Sequence, residues 1–394
     1  MGNVIGIVAE YNPFHNGHAR LIEQTRARLG ADCPVVCVMS GDFVQRGSPA
    51  VYAKFARAEA AARCGADLVL ELPLPWALSS AEGFARGAVG LLGSLGVVTH
   101  LSFGSECGEL EPLQRVAEAL LDPLLGEDLR AELQAGIPFA AVARRVGALA
   151  ELLQAPNNIL AVEYLKAIFD QRLDLHPLTI LRTGAQHDRP AEGNVRSASE
   201  LRTRIGAGEN VSAFLPRAAA EISAREKTLG RGPVLPEALE SAILSRLRML
   251  PQTAYNALPG ASEGLGNGLY RAAHEEPTLD GVLAAAKSKR YALSRIRRMT
   301  MCAALGVTAG MDAGTPPYAR VLAIGAQGRE LLRAIDARTA APVITKPAAG
   351  RNLPGAAGEI FALTADAHDL YVLGCPAREE RRCGGDWRAS PFVL

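Results

Sequence analysis

IGIVAEYNPFHNGHAR, residues 5–20, is the stretch that decides the fold. Val4, Ile5, Ile7 and Val8 form a continuous apolar run, as a strand covered on both faces of a parallel sheet requires. Asn12-Pro13 ends that strand. Past the turn, His18, Leu21, Ile22, Thr25 and Leu29 recur at helical spacing, with Arg20, Glu23, Arg26 and Arg28 between them. Asn16 is the expected N-cap. The helix therefore opens just beyond a sheet's carboxyl edge, where its unpaired amides and dipole favour a phosphate. Gly17 lets the backbone come close to a ligand. His15 and His18 can donate hydrogen bonds to phosphate oxygens as negative charge builds during displacement. Such a His-x-Gly-His turn suits a nucleoside triphosphate attacked at its α-phosphate. A structural histidine pair is the plainer alternative. No Cys or carboxylate pair stands nearby at metal-ligand spacing, so no dedicated metal site is expected.

Working outward, strand and helix alternate. Val35–Met39, Leu68–Leu72 and Leu101–Phe103 read as strands, and Phe55–Cys64 and Ala81–Leu95 as helices. This alternation predicts an α/β fold, a Rossmann-like doubly wound parallel sheet with ligands beyond the carboxyl ends of its strands. The unusual residues gather at those ends: Ser40-Gly41-Asp42, Glu71-Leu72-Pro73 and Gly104-Ser105-Glu106. Residues 109–155 read as a helical insertion or lid. Asn157-Asn158 opens a helix over Ile159–Phe169, Leu178–Leu181 is a further strand ending at Arg182, and Ser197–Arg202 is a capped helix start.

A chain of 394 residues exceeds one ordinary core. We expect a catalytic domain over 1–210 and a second over 211–394, with Gly/Pro-rich linkers at 205–216 and 230–236. The second domain reads as helical to about 306, followed by a small α/β unit with strands at Arg320–Ile324, Pro342–Thr345 and Asp369–Leu373. Hydrophobic residues are 48% and charged residues 21%, a globular composition. The seven cysteines form no CxxC pair, which predicts reduced thiols and a cytoplasmic protein. No signal peptide and no 18-residue apolar span is visible, so no membrane partner is expected.

The net charge is +1, so a nucleic-acid partner must be met by a local patch. One exists. Lys287, Lys289, Arg290, Arg295, Arg297 and Arg298 lie around Tyr291, with no acidic residue from 281 to 311. Cations with an aromatic suit RNA phosphates and base stacking, and a solvated helix face is the alternative. Gln45-Arg46-Gly47 and Lys54 could hold a small anion or the RNA end, or be surface loop. Asp42 is either a polar support behind the site or a helix cap.

GIVAEYNPFHNGH, SGDFVQRG, GADLVLELP, SFGSE, PNNILAVEYLKA and KSKRYALSRIRR occur here in order. Together, over about residues 4–345, they resemble the bacterial tRNA(Met) cytidine acetate ligase family of the His-x-Gly-His nucleotidylyltransferases. The resemblance implies that ATP and acetate give acetyl-adenylate, and that acetyl then passes to the wobble cytidine of elongator tRNA-Met, forming N4-acetylcytidine. It places ATP on Ile7, Val8, Ala9, Glu10, Tyr11, Asn12, Pro13, Phe14, His15, Asn16, Gly17, His18, Ala19 and Arg20. Gly104, one of Asn157 and Asn158, and the pair Arg182-Thr183 join them. Thr183 stands where the family commonly has Ile. Arg202 resembles the second phosphate-binding motif, so His15, His18 and Arg202 are the expected catalytic set, with Mg²⁺ accompanying ATP. Gly104 can let adenine or ribose lie on the backbone. Two other classes use some of these features: a small-molecule adenylyltransferase acting on a mononucleotide or pantetheine-type substrate, and a catalytically silent tRNA-binding protein.

Overall fold

A computed structural model describes residues 2–121, 147–182, 194–288 and 291–394. The strands in chain order are β1 (Ile5–Ala9), β2 (Val35–Ser40), β3 (Phe43–Val44), β4 (Ser48–Pro49), β5 (Leu68–Leu72), β6 (His100–Ser105), β7 (His176–Leu181), β8 (Ala319–Ile324), β9 (Val343–Ile344) and β10 (Phe392–Val393). β5-β2-β1-β6-β7 run parallel in that spatial order. The order reverses between β1 and β6, so a crevice opens past their carboxyl ends. The short antiparallel hairpin β3–β4 stands apart from the sheet.

All six residues of β2 are buried, as the apolar run predicts. They alternate between two cores. Val36, Val38 and Leu70 pack with Phe84, Leu91 and Leu92 of the Ala81–Ser94 helix. Cys37, Met39 and Val69 face Ile22 of the Asn16–Leu29 helix and Ala58 and Ala61 of the Lys54–Arg63 helix. That period-two division is what covers both faces of the sheet.

The described ends of the 109–155 segment belong to the first of these cores. Leu113, Val116 and Ala117 of the Leu110–Leu121 helix pack fully buried with Ala161 and Leu165 of the Pro156–Asp170 helix. The stretch 122–146 lies outside the described residues. Both expected linkers are anchored: Ile205, Val211 and Leu215 are buried in the second core, and Val234 is buried in a third. That third core joins the helices Pro236–Met249, Leu265–Glu275, Leu279–Ala286 and Leu293–Leu305. It also takes in Phe43 from the β3–β4 hairpin and Leu74 and Leu78 beyond β5.

Two strands expected near the carboxyl end form, but in the main sheet. β8 pairs antiparallel with β5, and β9 and β10 pair parallel with β8. The strand expected over Asp369–Leu373 is instead the end of an 18-residue helix, Gly355–Val372. That helix buries Phe361, Ala365, His368 and Tyr371 among others, so its apolar residues cover most of its surface and mimic a buried strand.

Candidate active site

His15, Gly17 and His18 sit where β1 gives way to the Asn16–Leu29 helix. The cap is His15 rather than the expected Asn16. Its Nδ1 accepts the Gly17 amide at 3.0 Å, while His18 Nδ1 accepts the His15 amide at 3.2 Å, a reciprocal capping box. Asn16 is the first helical residue, and its side chain donates to the carbonyls of Asn194 (2.9 Å) and Ala213 (3.4 Å). The two imidazoles stack with centroids 3.8 Å apart. Tyr11 and Phe14 pack against His18 at 4.9 and 5.5 Å.

Both histidines are held neutral. Burial, then the positive Arg182 and Arg202, pull His15 down to about 3. Burial, then His15 and Arg182, pull His18 well below the ordinary histidine range. A neutral ring whose Nδ1 accepts a backbone N–H carries its hydrogen on Nε2. The site therefore presents two fixed Nε2–H donors.

These residues line a cleft of about 1240 Å³. From the sequence-predicted run, Ile7 to Asn12, His15 and His18 reach it, whereas Pro13, Phe14, Asn16, Gly17, Ala19 and Arg20 do not. Gly17 and Arg20 instead line a small adjoining pocket, together with Arg182. Arg202 points back to the turn, donating to the Asn12 carbonyl at 3.0 Å and to Ser199 Oγ at 2.9 Å. Its helix, Ala198–Gly206, is capped by Ser197.

Gly104 lines the cleft, and a Cβ there would lie 2.9 Å from Cγ of Arg182, so the missing side chain makes room for the arginine stem. Arg182 Nε is buried without a hydrogen-bond partner among the described residues. Thr183 lies outside the described residues.

The two asparagines divide. Asn158 is 3% exposed, and its Oδ1 accepts the amides of Glu106 (2.9 Å) and Cys107 (3.2 Å), fixing the loop after β6. It does not line the cleft, whereas Asn157 does. Glu106 in turn caps the Pro156–Asp170 helix, accepting the Asn158 amide at 2.8 Å and Asn157 Nδ2 at 2.6 Å.

The basic segment is not a separate face. Ser294, Arg297 and Arg298 line the same cleft as His15 and His18, beside Gln45 and Arg46. Gly47, with φ +70°, makes this possible. A Cβ there would meet the main chain of Arg297 and Arg298 at 2.6 Å, so the hairpin lies directly on the helix backbone. Other members serve the fold. Tyr291 is only 9% exposed, with the Arg295 guanidinium 4.7 Å from its ring centre, which leaves no open face for a base. Arg295 also holds the Gly260 carbonyl (2.7 Å) and Ser262 Oγ (2.8 Å). Lys287 is exposed at the end of the Leu279–Ala286 helix. Lys289 and Arg290 lie outside the described residues.

Lys54 is corrected outright. It is fully buried, 2.7 Å from Glu71 Oε1 and 2.8 Å from Asp386 Oδ1, so it meets no ligand. Arg320 completes the cluster, 3.1 Å from Glu71 and bidentate on Asp386. Asp42 steadies the start of the Lys54–Arg63 helix without being its cap, which is Ala53: its Oδ1 accepts the Lys54 amide at 2.8 Å, and its Oδ2 pairs with His368 at 2.8 Å. Sequence reading missed Phe84, Phe103 and Tyr164, which form an apolar wall of the cleft. Each reads in sequence as ordinary core at helix or strand spacing.

A family profile described as HIGH Nucleotidyl Transferase matches residues 2–385. A tRNA(Met) cytidine acetate ligase of Syntrophomonas wolfei is 38% identical over 98% of this chain and 99% of its own length. One from Acetivibrio thermocellus is 35% identical over 99% of this chain and 100% of its own. Among solved structures, Thermotoga maritima TmcAL bound with alpha-thio ATP is 34% identical and superposes with a TM-score of 0.92, covering 100% of this chain and 99% of that one. Its apo form gives 0.93.

Proposed function

The chain belongs to the HIGH nucleotidyl transferase family, among the tRNA(Met) cytidine acetate ligases, and from that premise we propose how its cleft divides the work. ATP and acetate react at the His15/His18 end to give acetyl-adenylate and pyrophosphate. The wobble cytidine of elongator tRNA-Met, entering along Arg46, Arg297 and Arg298, then takes the acetyl group on its exocyclic amine. The observation that carries this reading is the single cleft joining the histidine turn to the basic helix. Separate pockets would demand that a labile adenylate travel through water.

Acetate is already ionised near neutral pH and needs no base. One of its oxygens attacks the α-phosphorus, and the P–O bond to pyrophosphate breaks. The enzyme's task is to hold two anions together and to spread the growing negative charge. The Nε2–H groups of His15 and His18, with Arg182 and Arg202, suit the phosphates. Being neutral, each imidazole keeps an Nδ1 lone pair for a backbone amide and a hydrogen on Nε2 for a phosphate oxygen. Asn157 stands on the nucleotide side. Mg²⁺ would accompany ATP, held through the phosphates rather than by a dedicated protein site. Among the described residues no cluster of three His, Cys, Asp or Glu side chains forms a cage of its own. Also among those residues, no helix is long and apolar enough to cross a membrane, and all seven cysteines are free thiols. Both fit work in a reducing cytoplasm.

The test is direct. The protein is incubated with ATP, labelled acetate and elongator tRNA-Met, and the RNA is digested to nucleosides. Labelled N4-acetylcytidine is expected. Its absence, with pyrophosphate released only on addition of a mononucleotide or pantetheine-type acceptor, overturns the reading in favour of a small-molecule adenylyltransferase.

A further inference from the structure

Acetyl transfer has a requirement that adenylate formation lacks. The amine of cytosine loses a proton as it is acylated, so something must accept it. The two histidines cannot. Each has its Nδ1 lone pair engaged by a backbone amide and its hydrogen on Nε2. Tyr164, on the cleft wall, is a phenol that burial pushes far above the ordinary tyrosine range, so it holds its own proton.

Three carboxylates line the cleft among the described residues: Glu10, Glu106 and Glu200. Glu106 caps a helix and binds both asparagines, as described above. Glu200 is paired with Arg204 at 2.8 Å and Arg196 at 3.4 Å. Glu10 is different. One oxygen, Oε1, accepts the Gln45 amide at 3.0 Å, and among the described residues Oε2 has no hydrogen-bond partner. Its position is fixed from behind. The Glu10 carbonyl is held at 2.5 Å by Arg57, a fully buried guanidinium that also holds the carbonyls of Ser40, Gly41 and Tyr52. The Glu10 charge is felt by Arg202 on the phosphate side, while its oxygen is tied to Gln45, beside Arg46. The carboxylate thus stands at the join between the two ends of the cleft.

We infer that Glu10 is the proton acceptor of the acetyl-transfer half-reaction, an assignment that rests on the ligase reading above. The cytosine N4 lone pair attacks the carbonyl carbon of acetyl-adenylate, and an N–C bond forms. The C–O bond to the α-phosphate breaks, and AMP leaves with that electron pair on its phosphate oxygen. One N4 hydrogen passes as a proton to Glu10 Oε2 and from there to water. The Gln45 amide on Oε1 leaves Oε2 as the atom that takes it.

Glu10→Gln tests this, because the amide oxygen can still accept from Gln45 while the base is gone. Adenylate formation is read as acetate-dependent pyrophosphate release. Transfer is read as single-turnover acetylation of tRNA from preformed acetyl-adenylate. A positioned base contributes roughly 10²–10⁴-fold. The expected result is a transfer rate lower by at least about 100-fold, and a loss in transfer at least about 30-fold larger than any loss in adenylate formation. Equal losses in both half-reactions, or no loss in transfer, overturn the assignment while leaving the ligase reading intact. A wild-type protein that acetylates no tRNA overturns both. An ATP-induced rise in melting temperature reports that the variant is folded. Should Glu10→Gln fail that check, Glu10→Asp replaces it, and its shortened reach should impair transfer more than adenylate formation.

Discussion

Two groups of cations lie within one fold and are treated oppositely. Beneath the cleft, Lys54 and Arg320 are buried and matched by Glu71 and Asp386, in contacts of 2.5 to 3.1 Å. At the cleft, Arg182, Arg202, Arg297 and Arg298 have no carboxylate within ion-pair distance among the described residues. A buried charge without a counterion is costly, so the core supplies one from its own chain. The cleft leaves these four to be neutralised by whatever enters, which for a group of guanidiniums means a polyanion. The contrast separates cations that hold the fold from cations that wait for substrate, a distinction residue type alone does not make.

The contrast breaks first where the matched group loses a member. Asp386→Ala leaves Lys54 and Arg320 sharing Glu71, and removing one partner of a buried pair costs about 3–5 kcal/mol. Urea unfolding should show that loss in midpoint. A change under about 1 kcal/mol would mean the cluster is not a stability element. Next comes the histidine turn. Losing one aligned donor lowers rate by about 10²–10³-fold, so His18→Ala should lower adenylate formation by that factor in a pyrophosphate assay.

A smaller effect lies in pH. The unfolded chain protonates His15 as pH falls through about 6.5, whereas the folded protein does so only near 3. Between those values the unfolded state binds more protons, so stability falls as pH is lowered. By pH 5 the loss from His15 is about 2 kcal/mol, at about 1.36 kcal/mol per pH unit. Asn is also a good N-cap. His15→Asn should therefore flatten that part of the pH dependence of the melting temperature without uncapping the helix. The smallest effect sharpens the comparison from the cleft side. Arg297→Ala should weaken tRNA binding and reduce the slope of log affinity against log salt by about 0.7. An unchanged slope would remove Arg297 from the RNA path.

The legible part of this molecule is the part carried by local pattern. β1 and the helix after it follow from one apolar run and one helical stripe, and the parallel run of the first strands follows from their alternation with helices. What stayed hidden depends on distant partners. Nothing near Lys54 announces that Asp386, 332 residues on, will neutralise it. The sequence reading treated Lys54 as a ligand-binding candidate for that reason. Asn16 is the commoner capping type, yet His15 holds the cap because its Nδ1 happens to reach the Gly17 amide. Tyr291 looked available to a base because its cover, Arg295, is itself one of the cations that suggested RNA. The apolar stretch at 369–373 resembles a strand because its helix is buried on most sides.

The sheet also fixes an order of events during synthesis. β5, at residues 68–72, borders β8, at 319–324, and β10 at 392–393 lies beyond it. While the ribosome is still making the middle of the chain, Lys54 is already out and lacks one of its two carboxylates. Arg320 then emerges more than sixty residues before Asp386. The cleft lining reaches only as far as Arg298, but the charge cluster beneath it closes only when Asp386 has been made. A chain cut short before Asp386 would carry two cations headed for the interior with a single carboxylate between them, a half-built molecule that cellular proteases are well placed to recognise.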